Sequence, residues 1–417
     1  MIYKEITKCR ICGNTDIKPV VDLGSMCLTG VFPKSKTEKV ESGPLELVKC
    51  DDSSDKTKCG LVQLRYNYNP DLLYGQDYGY RSGLNKSMVE HLHNKVKKIL
   101  SVIKLSNDDL VVDIGSNDST LLQAYPKTGV TLVGVDPTGK KFKEYYPSHI
   151  KLIPDFFPSN EFKKEYGNKK AKIFTSVSMF YDLDDPVGFA QSIYDNLDDN
   201  GVWVFEQSYM PTMLDMLSYD TICHEHLEYY GLKQIKHILD KVGFKIVDLE
   251  FNNINGGSFS VLAAKKKSQH KENIEQVNKV LLEEEKKGLT HTDIFKEFNQ
   301  RAKTHREELN AFLYNINKEG KKIIGYGAST KGNVVLQYCN ITEKQLPCIA
   351  EVNEHKFGCY TPGTLIPIIS ESDAKKMAPD YLMVLPWHFK DNIIEREKAF
   401  LKAGHHLFFP LPKLTVI

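Results

Sequence analysis

The run "VVDIGSNDSTLL" at residues 111–122 indicates the fold of the central part of the chain. A short apolar strand is followed at once by a glycine turn and then by a segment compatible with a helix. Gly115 permits the tight turn, and the helix start would supply free backbone N–H groups. The Gly-x-Gly-x-x-Gly spacing of a dinucleotide-binding loop is absent, which disfavours a nicotinamide-dependent oxidoreductase.

The same rhythm of strand and helix continues on both sides of this turn. Apolar runs at 110–114, 131–135, 172–177 and 201–206 are each followed by a polar, helix-compatible stretch, as in a parallel sheet. Runs at 244–250 and 258–265 are separated by Asn-Gly-Gly and predict an antiparallel pair. We therefore predict an α/β fold whose centre is a class I methyltransferase sheet of seven strands, parallel but closed by an antiparallel hairpin.

Three domains are expected along the 417 residues. Residues 1–80 hold five of the nine cysteines and form a small zinc-binding domain, and 81–265 form the methyltransferase domain. Residues 266–417 begin with a charged helical linker, interpreted as a solvated connection, and continue as a Rossmann-like α/β domain.

Composition limits the classes of function. Lys and Arg number 55 against 54 Asp and Glu, so the net charge is +1, and a general binder of nucleic acid or of a membrane surface is not expected. No stretch reaches the ~18 apolar residues of a membrane span, and the start has no signal-peptide core. We predict a cytoplasmic protein that is a monomer or a dimer.

The N-terminal cysteines predict a structural zinc site. Cys9-x-x-Cys12 is a zinc-knuckle half, and Cys50 and Cys59 flank a polar stretch that can loop out. Four thiolates around one Zn²⁺ would stabilise a segment with little core of its own, and would leave no open position for catalysis. Unliganded cysteines are the alternative.

The central loop favours S-adenosylmethionine as the cofactor. Asp113 precedes the turn and could accept from an ammonium group, whereas Asp136 ends the next strand and could bind both ribose hydroxyls. "PDFF" at 154–157 could contact the adenine. The predicted cofactor-binding residues are Asp113, Gly115, Asn117, Asp118, Asp136, Pro137, Asp155, Phe156 and Ser178.

A second chemical segment, "YDTICHEHLEYY" at 219–230, follows the strand at 201–206. Ligands bind at the carboxyl edge of such sheets, and a His beside a Glu suits a base with its orienting group. Three other interpretations are a polar surface loop, a metal site through His224 and His226, and a nucleophilic Cys223.

"GYGASTKG" at 325–332 has the outline of a phosphate-binding strand-to-helix loop. Gly325, Gly327 and Lys331 would present backbone N–H groups and one cation to a diphosphate, although a purely structural layer is also possible. Trp387 and His388 could contact a sugar or base, or Trp387 could belong to the core.

Together these motifs resemble the S-adenosylmethionine-dependent C-methyltransferases of nucleotide-linked keto-sugars in deoxysugar biosynthesis. The similarity covers the whole chain through "CRIC", "YGYRSGLNKSMVEH", "DIGSNDSTLL", "YDTICHEHLEYY", "NGGSFSV", "GYGASTKGN", "YTPGTLIPI" and "WHF". The resemblance implies a nucleotide-sugar substrate between the central and C-terminal domains, with His226 as general base and Glu225 beside it. It implies Tyr78 or Tyr80 at the sugar.

Three positions depart from the family pattern. Cys223 stands where well-known members carry Tyr, and Tyr229 could take over a phenol's role. "SVSMFYDLDD" lacks a His that is common after the fourth strand, and Ser119 replaces a usual Gly. The candidate catalytic residues are Cys223, His224, Glu225 and His226, and the candidate substrate residues are Tyr78, Tyr80, Tyr229, Asn255 and Lys331.

The expected reaction is removal of a proton next to a ketone by neutral His226, followed by methyl transfer to the enolate carbon. Transfer to oxygen or nitrogen of a related sugar is one alternative. An inactive cofactor- or sugar-binding protein of the same fold is another, motivated by the departures at Cys223 and Phe180.

Overall fold

The N-terminal region consists of short strands beside the clustered cysteines. The computed structural model describes residues 2–74 and 80–417. Buried apolar side chains, Leu45 and Leu47 among them, alternate along one strand and form the core of this region. The elements are β1 (Tyr3–Glu5), β2 (Ile17–Cys27), β3 (Ser42–Cys50), β4 (Val62–Leu64), β5 (Tyr66–Tyr68) and α1 (Pro70–Leu73).

The central region begins with a long amphipathic helix that buries Met88, Leu92 and Val96 at helical spacing. Its helices are α2 (Lys86–Val102), α3 (Asn160–Tyr166), α4 (Pro186–Asn196), α5 (Met210–Asp215) and α6 (Leu232–Val242). Its strands are β6 (Asp109–Ile114), β7 (Val130–Val135), β8 (Ile150–Ile153), β9 (Ala171–Val177), β10 (Leu197–Ser208), β11 (Glu228–Tyr229), β12 (Phe244–Asn252) and β13 (Ser258–Lys265).

Seven of these strands form one sheet in the order β12-β13-β10-β9-β6-β7-β8. The strands from β10 to β8 are mutually parallel, and β13 is antiparallel to both of its neighbours. The predicted fold class, including the closing hairpin, is therefore confirmed. The carboxyl ends of β6, β7, β8 and β9 meet at one edge, which is where ligands bind in open α/β sheets.

The C-terminal region is a second, smaller α/β unit. Its sheet has the order β16-β15-β14-β17-β18-β19, parallel except for the last strand. The helices are α7 (Ile274–Lys286), α8 (Asp293–Lys318), α9 (Thr330–Tyr338), α10 (Glu371–Lys376), α11 (Lys390–Arg396) and α12 (Lys398–Lys402). The strands are β14 (Ile323–Tyr326), β15 (Ile349–Glu351), β16 (Ile368–Ser370), β17 (Tyr381–Val384), β18 (His406–Phe409) and β19 (Thr415–Val416).

The connecting helices are packed rather than solvated all round. α8 buries Phe295, Phe298, Leu309 and Leu313 in the same apolar cluster as the C-terminal sheet. Within residues 2–74 and 80–417, no helix combines the length and apolar character needed to cross a membrane.

One strand crosses between regions. β11 lies in the central range of the sequence, yet it pairs antiparallel with β4, so that Glu228 faces Gln63 and Tyr229 faces Val62. The N-terminal sheet consequently has the order β11-β4-β3-β2. The predicted division at residue 80 does not anticipate this crossing, because a two-residue strand leaves no periodic signal in the sequence.

Candidate active site

The four N-terminal cysteines gather at one point. The Sγ atoms of Cys9 and Cys59 are 3.4 Å apart, those of Cys12 and Cys50 are 3.5 Å apart, and those of Cys59 and Cys12 are 3.6 Å apart. All four sulfurs lie within 4.8 Å of one another. Tetrahedral zinc with Zn–S bonds of about 2.3 Å places its sulfurs about 3.8 Å apart, so the predicted ligands fit zinc.

The central loop brings two carboxyl groups to the carboxyl ends of adjacent strands. Asp113 is buried on β6 and accepts a hydrogen bond of 2.5 Å from the Thr175 hydroxyl. Asp136 follows β7, and its carboxylate accepts from the N–H groups of Asn117 and Thr138, each at 2.7 Å. Burial, with some contribution from the charge of Asp136, raises the pKa of Asp113 to about 7. This pair offers acceptors to an ammonium group and to ribose hydroxyls, which fits S-adenosylmethionine.

Backbone geometry explains the turn. Gly115 has a φ of +73°, the left-handed region that glycine adopts without strain, and Ser119 has a φ of +64°. The Ser119 hydroxyl donates to the Tyr145 carbonyl at 3.2 Å and accepts from Gln123 at 3.0 Å. These bonds partly offset the strain of a side chain in the left-handed region of the backbone.

Asn117 and Asp118, two of the predicted cofactor-binding residues, accept hydrogen bonds from backbone N–H groups of the chain itself. The side chain of Asn117 accepts from the Ser82 N–H at 2.9 Å, and that of Asp118 accepts from the Gly83 N–H at 2.8 Å. They fix the segment that follows Tyr80 against the loop. Contact of either side chain with a cofactor remains a prediction.

The other predicted cofactor residues lie along the same edge of the sheet. Pro137 is half-buried after β7, whereas Asp155 and Phe156 follow β8 and are exposed. The Phe156 ring, 48% exposed, is available to an adenine. Ser178 follows β9 and accepts from the Asn255 side chain at 3.3 Å.

His226 has a defined tautomer. Its Nδ1 lies 2.8 Å from the Thr221 carbonyl, an acceptor only, so Nδ1 carries the proton and Nε2 keeps its lone pair. The ring packs edge-on to Tyr181 at 4.4 Å and lines a small cavity of about 10 Å³ with Tyr229. Burial, together with the charge of Lys331, lowers the pKa of His226 to about 3, so the imidazole is neutral at pH 7.

Two expectations for the His-Glu-His segment are corrected. Glu225 was expected to orient the base, but the Thr221 carbonyl does so, since it accepts from Nδ1. His224 was a candidate catalytic residue, but its ring faces the N-terminal region, with Nε2 3.4 Å from the Gly43 carbonyl and Tyr68 at 4.7 Å. The two rings point to different partners because residues 224 and 225 form a turn, closed by the His226 N–H, which donates to the Cys223 carbonyl at 3.2 Å.

Glu225 contacts a loop that the sequence did not single out. Its carboxylate accepts from the Thr29 hydroxyl at 3.4 Å, and an added Cβ on Gly30 would stand 2.5 Å from its Oε1. The position of this added Cβ is also 3.8 Å from the hydroxyl oxygen of Thr330, the first residue of α9. Segments of all three regions of the chain therefore meet at Gly30.

Cys223 is a buried thiol. Burial, then the nearby Glu225 and Asp182 carboxyls, raises its pKa well above the usual range, which does not favour a nucleophilic thiolate. The Tyr229 hydroxyl is 3.5 Å from the Thr221 carbonyl and shares the cavity of His226.

Lys331 reaches the same site from the C-terminal region. Its Nζ donates to the Asn255 carbonyl at 2.8 Å, and its charge acts on His226 and His388. Asp220 lies near this cation, and its carboxylate accepts from the Trp387 indole N–H at 2.8 Å. Sequence analysis did not single out Asp220, because its partner Trp387 lies on a distant segment.

Of the two tyrosines predicted at the sugar, the structure describes Tyr80. Tyr80 is 48% exposed, and its carbonyl accepts from the Asn117 side chain. Tyr78 lies outside the described residues.

This sheet order, with carboxyl groups at the ends of β6 and β7 and an edge open to a ligand, defines the class: an S-adenosylmethionine-dependent methyltransferase. Three family models match the chain in order. A "zinc binding domain" matches residues 9–74, a "Methyltransferase domain" matches 88–249, and a "C-methyltransferase C-terminal domain" matches 253–412. The C-methyltransferase NovU of Streptomyces niveus is 29% identical over all of this chain and 98% of its own length. Over its whole length the chain is therefore similar to C-methyltransferases with an N-terminal zinc-binding domain.

Solved structures are more distant. The complex of the Haloferax volcanii Trm112 methyltransferase activator with a methyltransferase is 14% identical, covers 44% of this chain and 94% of that one, and has a TM-score of 0.37. The glycopeptide N-methyltransferase MtfA with S-adenosylmethionine is 11% identical over 42% of this chain and 93% of that one, with a TM-score of 0.32.

Proposed function

We propose that the protein transfers a methyl group to the carbon next to the ketone of a nucleotide-diphosphate keto-sugar, with His226 as the base. The observation that carries the proposal is the Nδ1–H bond to Thr221, which leaves Nε2 of a neutral imidazole free to take a proton. C-methylation needs such a base, because a carbon next to a ketone becomes nucleophilic only as its enolate.

The lowered pKa of His226 is compatible with this role. The enolate that forms beside the imidazole is an anion, and an anion stabilises the imidazolium that results from proton transfer. Among the described residues, the ammonium group of Lys331 donates one hydrogen bond, to the Asn255 carbonyl. An ammonium group has three N–H donors. Its remaining N–H groups would donate to the enolate oxygen as charge develops there.

When bound, S-adenosylmethionine supplies the electrophilic methyl group. The chain's part is to hold its acceptor at reacting distance and to exclude water. We propose that Asp113 binds the ammonium group, Asp136 and Pro137 the ribose, and Asp155 and Phe156 the adenine. Gly115, Asn117, Asp118 and Ser178 would line the space between them, while Tyr78, Tyr80, Tyr229 and Asn255 would line the sugar pocket.

The test separates proton removal from methyl transfer. With S-adenosylhomocysteine present and no methyl donor, a panel of nucleotide keto-sugars in D₂O should gain deuterium next to the ketone, as detected by mass spectrometry. His226→Asn should lose this exchange, whereas the exposed His291→Asn serves as a matched control and should keep it. Deuterium exchange at the control rate in His226→Asn would contradict the proposed base.

Labelled methyl groups distinguish carbon transfer from the alternatives. With methyl-labelled donor, the label should be recovered on carbon; recovery on oxygen or nitrogen would refute C-methylation. Failure of S-adenosylhomocysteine to bind at high micromolar concentration would favour an inactive binding protein.

We further propose that Cys9, Cys12, Cys50 and Cys59 hold one structural zinc ion. Metal analysis of the purified chain should give about one zinc per molecule, and Cys59→Ser should lower that content and destabilise the N-terminal region. A folded chain free of metal would contradict this assignment.

A further inference from the structure

Arg10 lies between two of the clustered cysteines in the sequence, and its side chain contacts residues outside that cluster. The residue stands between Cys9 and Cys12, and its side chain is 2% exposed. Its backbone N–H donates to the Gln63 side chain at 3.1 Å, and Nη1 donates to the Leu64 carbonyl at 2.8 Å. The guanidinium is therefore fixed to β4, the strand that pairs with β11.

The same guanidinium reaches the segment that follows the proposed base. Nη1 is 3.5 Å from the Leu227 carbonyl, and Nε is 3.9 Å from a carboxylate oxygen of Glu228. Glu228 is 2% exposed, and neither of its oxygens has a hydrogen-bond partner among the described residues. The Arg10 guanidinium therefore lies beside a buried carboxyl group.

Leu227, the residue directly after His226, is held from both sides. Its N–H donates to the Tyr181 carbonyl at 2.9 Å, and its carbonyl accepts from the Leu64 N–H at 2.8 Å. The Tyr181 ring also packs against the His226 imidazole. Displacement of Leu227 would consequently move the base relative to the ring against which it packs.

We propose that Arg10 is a positioning residue that couples the four-cysteine cluster to the catalytic segment by fixing β11 against β4. Metal binding by the cysteines on either side holds the backbone of Arg10, and the guanidinium transmits that position to Leu227 and Glu228. The small N-terminal domain is thus part of the active-site framework. The catalytic half of this inference rests on the proposed function, whereas the structural half does not.

Native-state hydrogen exchange tests the structural half without substrate. In Arg10→Met, the amides of Leu64 and Leu227 should exchange about tenfold faster. The Leu64 N–H donates to the Leu227 carbonyl beside the strand pair that Arg10 fixes, and the Leu227 N–H holds that same residue to Tyr181. Amides of β6 and β7 should be unchanged. Arg65→Met is the matched control, since Arg65 is in the same domain and pairs with Glu46 and Glu5 instead.

Unchanged exchange at Leu64 and Leu227 would overturn the proposal, and so would equal acceleration throughout β6 and β7, which indicates general destabilisation. Glu228→Gln provides a second, isosteric variant for the case in which Arg10→Met does not fold. It keeps the volume of the side chain, replaces the carboxyl group that Arg10 faces by an amide, and should accelerate exchange at the same two amides.

Kinetics test the catalytic half. Arg10→Met should lower kcat about a hundredfold while KM and the Kd of S-adenosylhomocysteine stay within twofold, since a base misplaced by about 1 Å impairs chemistry rather than binding. Arg10→Lys should recover part of the loss. Normal kcat together with accelerated exchange would refute the coupling to catalysis, whereas absence of turnover in the wild-type chain would refute the proposed function and leave the exchange result standing.

Discussion

Replacement of Gly30 by Ala tests the meeting of the three regions at this position. The new Cβ would stand 2.5 Å from Oε1, about 0.9 Å closer than ordinary van der Waals contact begins. The carboxylate is buried, and its other oxygen accepts from Thr29, so it has little freedom to withdraw. Overpacking of this kind costs about 1–3 kcal/mol.

The expected results are a lower Tm and slower turnover. For a cooperative unit of about 150–250 residues, a loss of about 2 kcal/mol in the free energy of unfolding lowers the Tm by about 4–8 °C, measured by scanning calorimetry. Glu225 directly precedes His226, so its displacement should shift the proposed base and lower kcat about a hundredfold, measured with the substrate identified from the keto-sugar panel.

A double-mutant cycle isolates the contact. In a Glu225→Ala background the space occupied by the carboxylate is empty, so Gly30→Ala should then cost less than about 0.5 kcal/mol. The steric reasoning is refuted if Gly30→Ala leaves the Tm of the wild-type chain unchanged, or if its cost is the same in both backgrounds.

Three further predictions concern the cofactor loop and Lys331. Lys331→Met should lower kcat about 10²–10³-fold with unchanged affinity for S-adenosylhomocysteine, as for loss of one donor to a developing oxyanion; a raised KM at constant kcat would assign Lys331 to the diphosphate instead. Burial raises the pKa of Asp113 to about 7, so its charged form, which an ammonium group requires, is lost as the pH falls below 7. Calorimetry should accordingly show weaker binding of S-adenosylhomocysteine at pH 6 than at pH 8, and Asp113→Asn should abolish that difference; equal pH dependence in both proteins would exclude Asp113. Ser119→Gly should be about 1 kcal/mol more stable than Ser119→Ala, because both lose the hydroxyl and only glycine is unstrained at a φ of +64°; the opposite order of the two Tm values would contradict this.

The central sheet illustrates how far local patterns lead. Each of its strands β6, β7, β9 and β10 is an apolar run long enough to be read from the sequence, and the Asn-Gly-Gly segment indicated the antiparallel pair of β12 and β13. The four clustered cysteines were also accessible from the sequence, because cysteine spacing is a property of the chain itself. The cofactor- and substrate-binding residues were inferred from strand ends and from family resemblance, and they remain predictions.

The functional segment was less predictable. "CHEHLEYY" contains two histidines and two glutamates, and nothing in their order tells which one faces the cleft. The structure turns His224 to Gly43 and Tyr68, gives His226 the Thr221 carbonyl, and places Glu225 beside Gly30. The hydrogen-bond partners that orient these side chains lie between 5 and 196 residues away along the sequence.

The sequence by itself determined the class of fold, the order of the three regions and the set of cysteines, because periodicity and spacing are local. Only the tertiary structure decided that a strand of the catalytic segment completes the N-terminal sheet, that Arg10 reaches Glu228, and that Lys331 enters the site of His226. These contacts join segments far apart in the chain, and their geometry follows from packing the three regions together, which no local pattern encodes.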